Sequence, residues 1–170
     1  MEEPERIFAP DGALEGMLKA RKAGKVNFIG FTGHKSPEVH LHMLDVAFKN
    51  NFRFDTVQMP LNVMDMHYNS FTKMVLPVLV RHNIGVLGMK ALGGGAILRS
   101  GVVTAQECLR YTMSLPTSVV ITGCDSIAIL QQALDVARKF RPMTQDERTE
   151  LLMRTAAVAG NGRFELYKAR

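Results

Sequence analysis

Residues 24–36 read GKVNFIGFTGHKS, and this stretch decides the fold. The run Val26–Phe31 is largely apolar, without the polar alternation of a half-buried strand, which predicts a strand covered on both faces. A glycine turn follows at Gly33. Ser36-Pro37 then supplies a cap and a first-turn proline for a helix whose apolar face is Val39, Met43, Ala47 and Phe48.

The same unit recurs outward from this segment. Strands are expected at Phe54–Gln58, Ile84–Met89 and Ser118–Thr122. Thr104-x-x-Glu107 forms a capping box ahead of Leu109, Thr112 and Met113, and Thr144-x-x-Glu147 forms another before Leu151 and Leu152. Ile127, Leu130, Leu134 and Ala137 recur at helical spacing after Asp125-Ser126, and Phe71–Val80 reads as a helix restarted or kinked at Pro77. Before the first strand, Leu14, Met17 and Leu18 mark a helix that stops near Gly24.

Strands alternating with helices imply right-handed crossovers and a parallel sheet, hence an α/β fold. About four βα units with an additional C-terminal helix are half of a (β/α)8 TIM barrel, so a partial barrel is expected. A flavodoxin-like open sheet has the same alternation. Residues 1–170 are expected to form one domain, with 1–11 as lead-in and 157–170 as a polar tail.

Composition narrows the function classes. The 170 residues are 46% hydrophobic and 22% charged, as in an ordinary globular protein. No apolar run approaches the roughly 18 residues of a membrane span. The opening MEEPERIFAP has no basic region leading into an apolar core, so no secretory signal is expected. With only Cys108 and Cys124 there is no disulfide framework, and a reduced, cytoplasmic setting is expected. The 21 Lys and Arg outnumber the 16 Asp and Glu, for a formal charge of +5. They are scattered, Trp is absent, and no basic run is interleaved with aromatics, so nucleic-acid binding is not expected.

Four blocks in order, GKVNFIGFTGHKS, FDTVQMPLNVMD, IGVLGMKALGGG and VVITGCDS, resemble the C-terminal half of the aldo-keto reductase family, as does the ending RFELYK. The resemblance runs from about Gly12 to the end. It implies a (β/α)8 barrel that reduces an aldehyde or ketone to an alcohol with hydride from NADP(H), NAD(H) being possible. The family's catalytic tyrosine, lysine, aspartate and histidine lie in its N-terminal half, so none of them is expected in this sequence, and Tyr68, Tyr111 and Tyr167 match none of those blocks.

The resemblance implies instead a cofactor-binding half. Thr32-Gly33 falls at the polar pair, usually serine and asparagine, that holds the nicotinamide carboxamide. Gln58 matches the glutamine contacting the same group, and an amide offers that planar group both a donor and an acceptor. A glutamine at a strand end can also just satisfy loop backbone. Met89 stands where many members stack a tyrosine on the nicotinamide ring; it is equally a core filler. Lys90 can reach a pyrophosphate or remain a solvated charge. Leu92, Gly93 and Gly94, with Gly95, match the loop over the pyrophosphate, where glycines leave amides free for oxygens. Gly123, Cys124, Asp125 and Ser126 form the turn before the next helix, whose N-terminus suits a phosphate. NADP-specific members place a lysine and an arginine in this segment; Gly123 and Ile129 occupy those positions, and Asp125 adds a negative charge.

No metal site is expected: His40 and His42 are two apart on a helix and face different ways. His34 is read as surface polarity in the first rim turn, Cys108 as a small core residue, and Cys124 as filling a tight turn. A half-barrel has two unpaired sheet edges and an open inner face, so self-association or pairing with a second half-barrel is expected. The alternatives to a reductase component are a non-catalytic nicotinamide-nucleotide-binding module and a dimerising half-barrel.

Overall fold

The computed structural model describes residues 2–168. Helices α1 (Glu2–Phe8) and α2 (Ala13–Lys22) lead into four units: β1 (Gly30–Thr32) and α3 (Pro37–Lys49); β2 (Thr56–Pro60) with α4 (Phe71–Met74) and α5 (Leu76–Arg81); β3 (Gly85–Met89) and α6 (Ala105–Met113); β4 (Val119–Val120) and α7 (Ile127–Arg138). Helix α8 (Gln145–Ala159) follows. The strands form one parallel sheet in the order β1-β2-β3-β4. The sequential order is that of a partial barrel and decides between the two architectures the alternation leaves open, since a flavodoxin-like sheet takes its strands out of sequence; short 3-10 turns fill the connections.

The caps act where the sequence places them. Ser36 accepts from the Glu38 and Val39 amides ahead of Pro37. Both capping boxes close: Thr104 Oγ1 accepts from Glu107 N and Thr144 Oγ1 from Glu147 N, each at 3.2 Å, while each glutamate reaches back to the threonine amide at 2.8 Å. The Phe71–Val80 segment is broken at Val75, and Pro77 sits in the first turn of α5.

Strand β1 starts later than the apolar run suggests. It begins at Gly30: the Asp55 carboxylate, paired with Arg21, takes the Ile29 amide (2.8 Å), so only the Ile29 carbonyl bonds to the neighbouring backbone, accepting from the Asp55 amide (2.8 Å). Strand β4 spans two residues where five were expected, having a neighbour on one side only. The lead-in is not featureless: Ile7 and Phe8 of α1 pack with Ile29, Met43, Ala47 and Phe54 in a second apolar cluster.

One face of the sheet is buried under helices. Val57, Met59 and Val86 belong to the main core with Phe71, Leu79, Ile97, Tyr111 and Leu151. The other face is open. Register partners run Thr32–Gln58–Leu87–Val119 across all four strands, and none of these is buried. At the rim, the connection after β2 is wholly interior from Leu61 to Asp65. Thr112 of α6 donates to Leu61 O (3.0 Å), and Thr155 of α8 donates to Val63 O (3.2 Å). Two later helices therefore fix the loop that follows the second strand.

The segment expected to be a polar tail is not all at the surface. Helix α8 runs to Ala159, and the side chains of Glu165 and Lys168 are buried. Among the described residues no helix is long and apolar enough to cross a membrane.

Candidate functional site

The site lies on the rim formed by the C-terminal ends of β1, β2 and β3. Thr32 and Gln58 are register partners on neighbouring strands, so their side chains project from the same open face. The Gly33 amide reaches back to Gln58 O at 3.4 Å. Gln58 Nε2 lies 3.3 Å from Met89 Sδ, which joins the third strand to the pair. Met89 itself is buried and Gln58 half-buried, whereas Thr32 is exposed. Three of the residues singled out from the sequence thus meet in one place.

Gly33 has a close neighbour on the opposite side. A Cβ there would stand 2.8 Å from His40 Cε1. The His40 ring is 3% exposed, packed against Phe31 and Phe71 with centroids 5.2 and 4.9 Å away, and its Nε2 has no partner. Burial holds its pKa below the ordinary histidine value. A cavity of about 430 Å3 opens beside it, lined by Thr32, Gly33, His34 and Ser36 and closed on one flank by Ile7 of α1.

The glycine loop has the conformation its composition predicts. Lys90 adopts φ +58°, and Gly93, Gly94 and Gly95 follow at +57°, +65° and +85°. No atom crowds the position of a Cβ at Gly94 or Gly95, so the backbone there is bare. Leu92 and Lys90 are half-buried. Gly123, Cys124, Asp125 and Ser126 are all exposed beyond the edge strand β4; Ser126 caps α7 by accepting from the Ile129 amide at 3.3 Å. The structure shows no contact of this turn with Thr32, Gln58 or Met89. Cys108 is buried in the core, which pushes its thiol up to about 12. His40 is interior while His42 pairs with Glu5. Among the described residues no group of three His, Cys, Asp or Glu side chains is placed to hold a metal.

Sequence reasoning missed the residues that close this rim from above. Tyr167 accepts from Asn62 Nδ2 (2.8 Å) and donates to Glu165 Oε1 (2.7 Å). Lys168 Nζ is fully buried and donates to Asp65 Oδ1 (2.7 Å), Tyr68 O (2.7 Å) and Glu165 Oε2 (3.1 Å). Asp65 also accepts from Ser70 and from the Phe71 and Thr72 amides. Burial pushes the Glu165 carboxyl above its ordinary range, and burial beside Glu165 pushes the Tyr167 phenol well up. The sequence signal was the ending RFELYK, which carries the resemblance but assigns none of its residues a role.

No family model matches the sequence, and a search of curated proteins gives no relative. Solved structures do match. Aldo-keto reductase AKR11C1 from Bacillus halodurans, in its holo form, superposes with a TM-score of 0.66 at 17% identity, over 92% of this chain and 60% of that one. Its apo form gives 0.63 at 16% identity, over 88% and 58%. The thermostable aldo-keto reductase Tm1743, in complex with the inhibitor epalrestat, gives 0.64 at 14% identity, over 86% and 56%. The chain therefore spans about three-fifths of the length of these reductases or slightly less. The likeness is one of fold: the chain resembles somewhat more than half of the barrel of these reductases.

Proposed function

We propose that the chain binds a nicotinamide nucleotide on the β1–β3 rim, as the cofactor-binding part of an NAD(P)H-dependent oxidoreductase that reduces an aldehyde or ketone to an alcohol. The observation that carries this reading is the row Thr32–Gln58 with Met89 Sδ against the glutamine amide. The donor set fits the group: a hydroxyl and a carboxamide on one open face suit a planar amide, which both donates and accepts. The exposed backbone at Gly94 fits the other end of such a ligand, since amides in left-handed turns attract phosphate oxygens, whereas the Gly93 and Gly95 amides already donate to Lys90 O and Leu92 O at 2.8 Å.

When bound, the nucleotide would supply the hydride. The roles of the protein are then to bind and orient. Thr32 Oγ1 and Gln58 would fix the carboxamide, Met89 would pack beneath the ring, and the Leu92–Gly95 loop with Lys90 would hold the pyrophosphate. Gly123, Cys124, Asp125 and Ser126, at the start of α7, would take the adenosine end. Among the described residues the phenols of Tyr111 and Tyr167 are both pushed above the ordinary tyrosine range by burial, which makes them poor proton donors. General acid catalysis supplies about 10²–10⁴-fold, so the chain by itself is expected to turn over a carbonyl slowly at best.

A second reading is favoured by the sheet's open side. Val119 is 49% exposed and Ile121 38%, near an edge strand with one neighbour. Exposed edges and apolar faces invite pairing, so a second copy or a complementary half-barrel would close the structure. A non-catalytic, dimerising half-barrel would show self-association without nucleotide affinity.

Titration with NADPH and with NADH, followed by nucleotide fluorescence and by the unfolding midpoint, tests the proposal. Saturable binding that raises the midpoint supports it, because a ligand specific for the folded state stabilises by mass action. A folded chain that binds neither nucleotide overturns it.

A further inference from the structure

The geometry points to Tyr167, at the end of the chain, as the aromatic wall of the nicotinamide pocket, beside Met89 of the third strand; this rests on the nucleotide-binding reading above. One ring meets all three rim connections. Its centroid is 5.9 Å from that of His34, after β1, with the planes at 64°. Its hydroxyl takes the Asn62 amide, after β2. Lys90 Nζ, directly after β3, lies 5.7 Å from its centroid. These three neighbours are two, four and one residues beyond Thr32, Gln58 and Met89.

The ring is held there by groups that leave it little freedom. The adjacent Lys168 is buried with three acceptors around its ammonium, two of them in the 65–68 turn. Asn62 is fixed in turn, since its Oδ1 accepts the Met64 and Asp65 amides at 2.9 and 3.0 Å. Tyr167 remains half-buried, so part of its surface is available to a ligand. An aromatic face offers a planar nicotinamide ring offset stacking or an edge contact, which Met89 supplies only with smaller area. Lys90 beside the ring adds a positive charge to the same wall.

The test compares wild type, Tyr167→Ala, Tyr167→Leu and Tyr167→Phe in titrations with reduced nicotinamide mononucleotide and, separately, with ADP. Tyr167→Ala is expected to weaken the mononucleotide about tenfold and to leave ADP unchanged. Tyr167→Phe keeps the ring and is expected to keep the affinity, although it loses the bonds to Asn62 and Glu165. If Tyr167→Ala does not fold, Tyr167→Leu, which keeps bulk without a π-face, is expected to show the same selective loss. Equal loss for both probes marks a merely structural role and overturns the inference. An unchanged or higher mononucleotide affinity in a folded alanine or leucine variant also overturns it, the latter because the ring would then fill the pocket. If wild type binds neither mononucleotide nor NADPH, the nucleotide reading itself fails, and the wall falls with it.

Discussion

Lys168 Nζ stands 2.7 Å from Asp65 Oδ1 with both side chains sealed from solvent, although the residues are 103 positions apart in sequence. The pair ties the end of the chain to the connection after the second strand, and Glu165 accepts from the same ammonium. Removing one partner of a buried pair leaves an uncompensated charge in a medium that solvates it poorly. Lys168→Met is therefore expected to lower stability by about 3–5 kcal/mol, read as a shift of the urea midpoint. The double variant Lys168→Met/Asp65→Asn should recover part of that loss, because only one charge of the cluster then remains.

Glu165 gives the tail a defined pH dependence. Burial raises its pKa, and Lys168 and Tyr167 only partly oppose this. The folded state therefore holds the proton more tightly than the unfolded chain. The resulting stability is fully present below the ordinary carboxylate pKa and is lost as pH rises through the raised value. Unfolding free energies of wild type and Glu165→Gln, compared from pH 4 to pH 7.5, should show the wild type losing ground relative to the variant as pH rises. A difference that is flat with pH would contradict this.

His40 acts with the opposite sign. Desolvation lowers its pKa, so the unfolded chain binds the proton more readily than the folded one. Its stability contribution is present above the ordinary histidine pKa and is lost as pH falls through and below it, toward the lowered value. Thermal midpoints between pH 7.5 and pH 5 should fall more steeply for wild type than for His40→Phe, which keeps an aromatic ring against Phe31 and Phe71.

The same histidine explains a departure at the rim. The asparagine that the family resemblance implies at position 33 is a glycine here, and a Cβ at that point would stand 2.8 Å from His40 Cε1. Gly33→Asn is expected to destabilise by about 1–3 kcal/mol through overpacking. Adding His40→Ala should recover some of it, and a thermal-unfolding double-mutant cycle reads the coupling directly.

Much of the architecture was legible in the sequence, and the exceptions have physical causes. Strand β3 announces itself because its residues are apolar and bracketed by turns, β2 lies two residues beyond the expected Phe54–Gln58 because its own residues mix Thr56 and Gln58 with apolar ones, and the capping boxes at Thr104 and Thr144 mark helix starts without ambiguity. The beginning of β1 was not legible, since the capture of the Ile29 amide by Asp55 is a contact across 26 positions. Helix α1, at seven residues, is too short to show a period. In the site, Thr32, Gln58 and Met89 were found through matched blocks; the register pairs Thr32 with Gln58, and a side-chain amide–sulfur contact brings in Met89. Tyr167 was set aside because it matches none of the family's catalytic blocks, and Lys168 fell within the expected polar tail. Only the fold brings Asn62 and Asp65, more than 100 positions away, to meet them.

The most direct test of the central claim is a calorimetric titration of NADPH into wild type and into Gln58→Leu, with the fold of both checked by circular dichroism. Gln58 touches Met89 only through a weak amide–sulfur contact, so the substitution is expected to leave the fold intact. The account predicts saturable binding to wild type and at least a fivefold loss in the variant, the scale of one hydrogen bond of about 1 kcal/mol or slightly more. Equal affinities would mean that the nucleotide does not rest on the β1–β3 rim, and no binding to folded wild type would mean that the chain shares only the fold of the reductases.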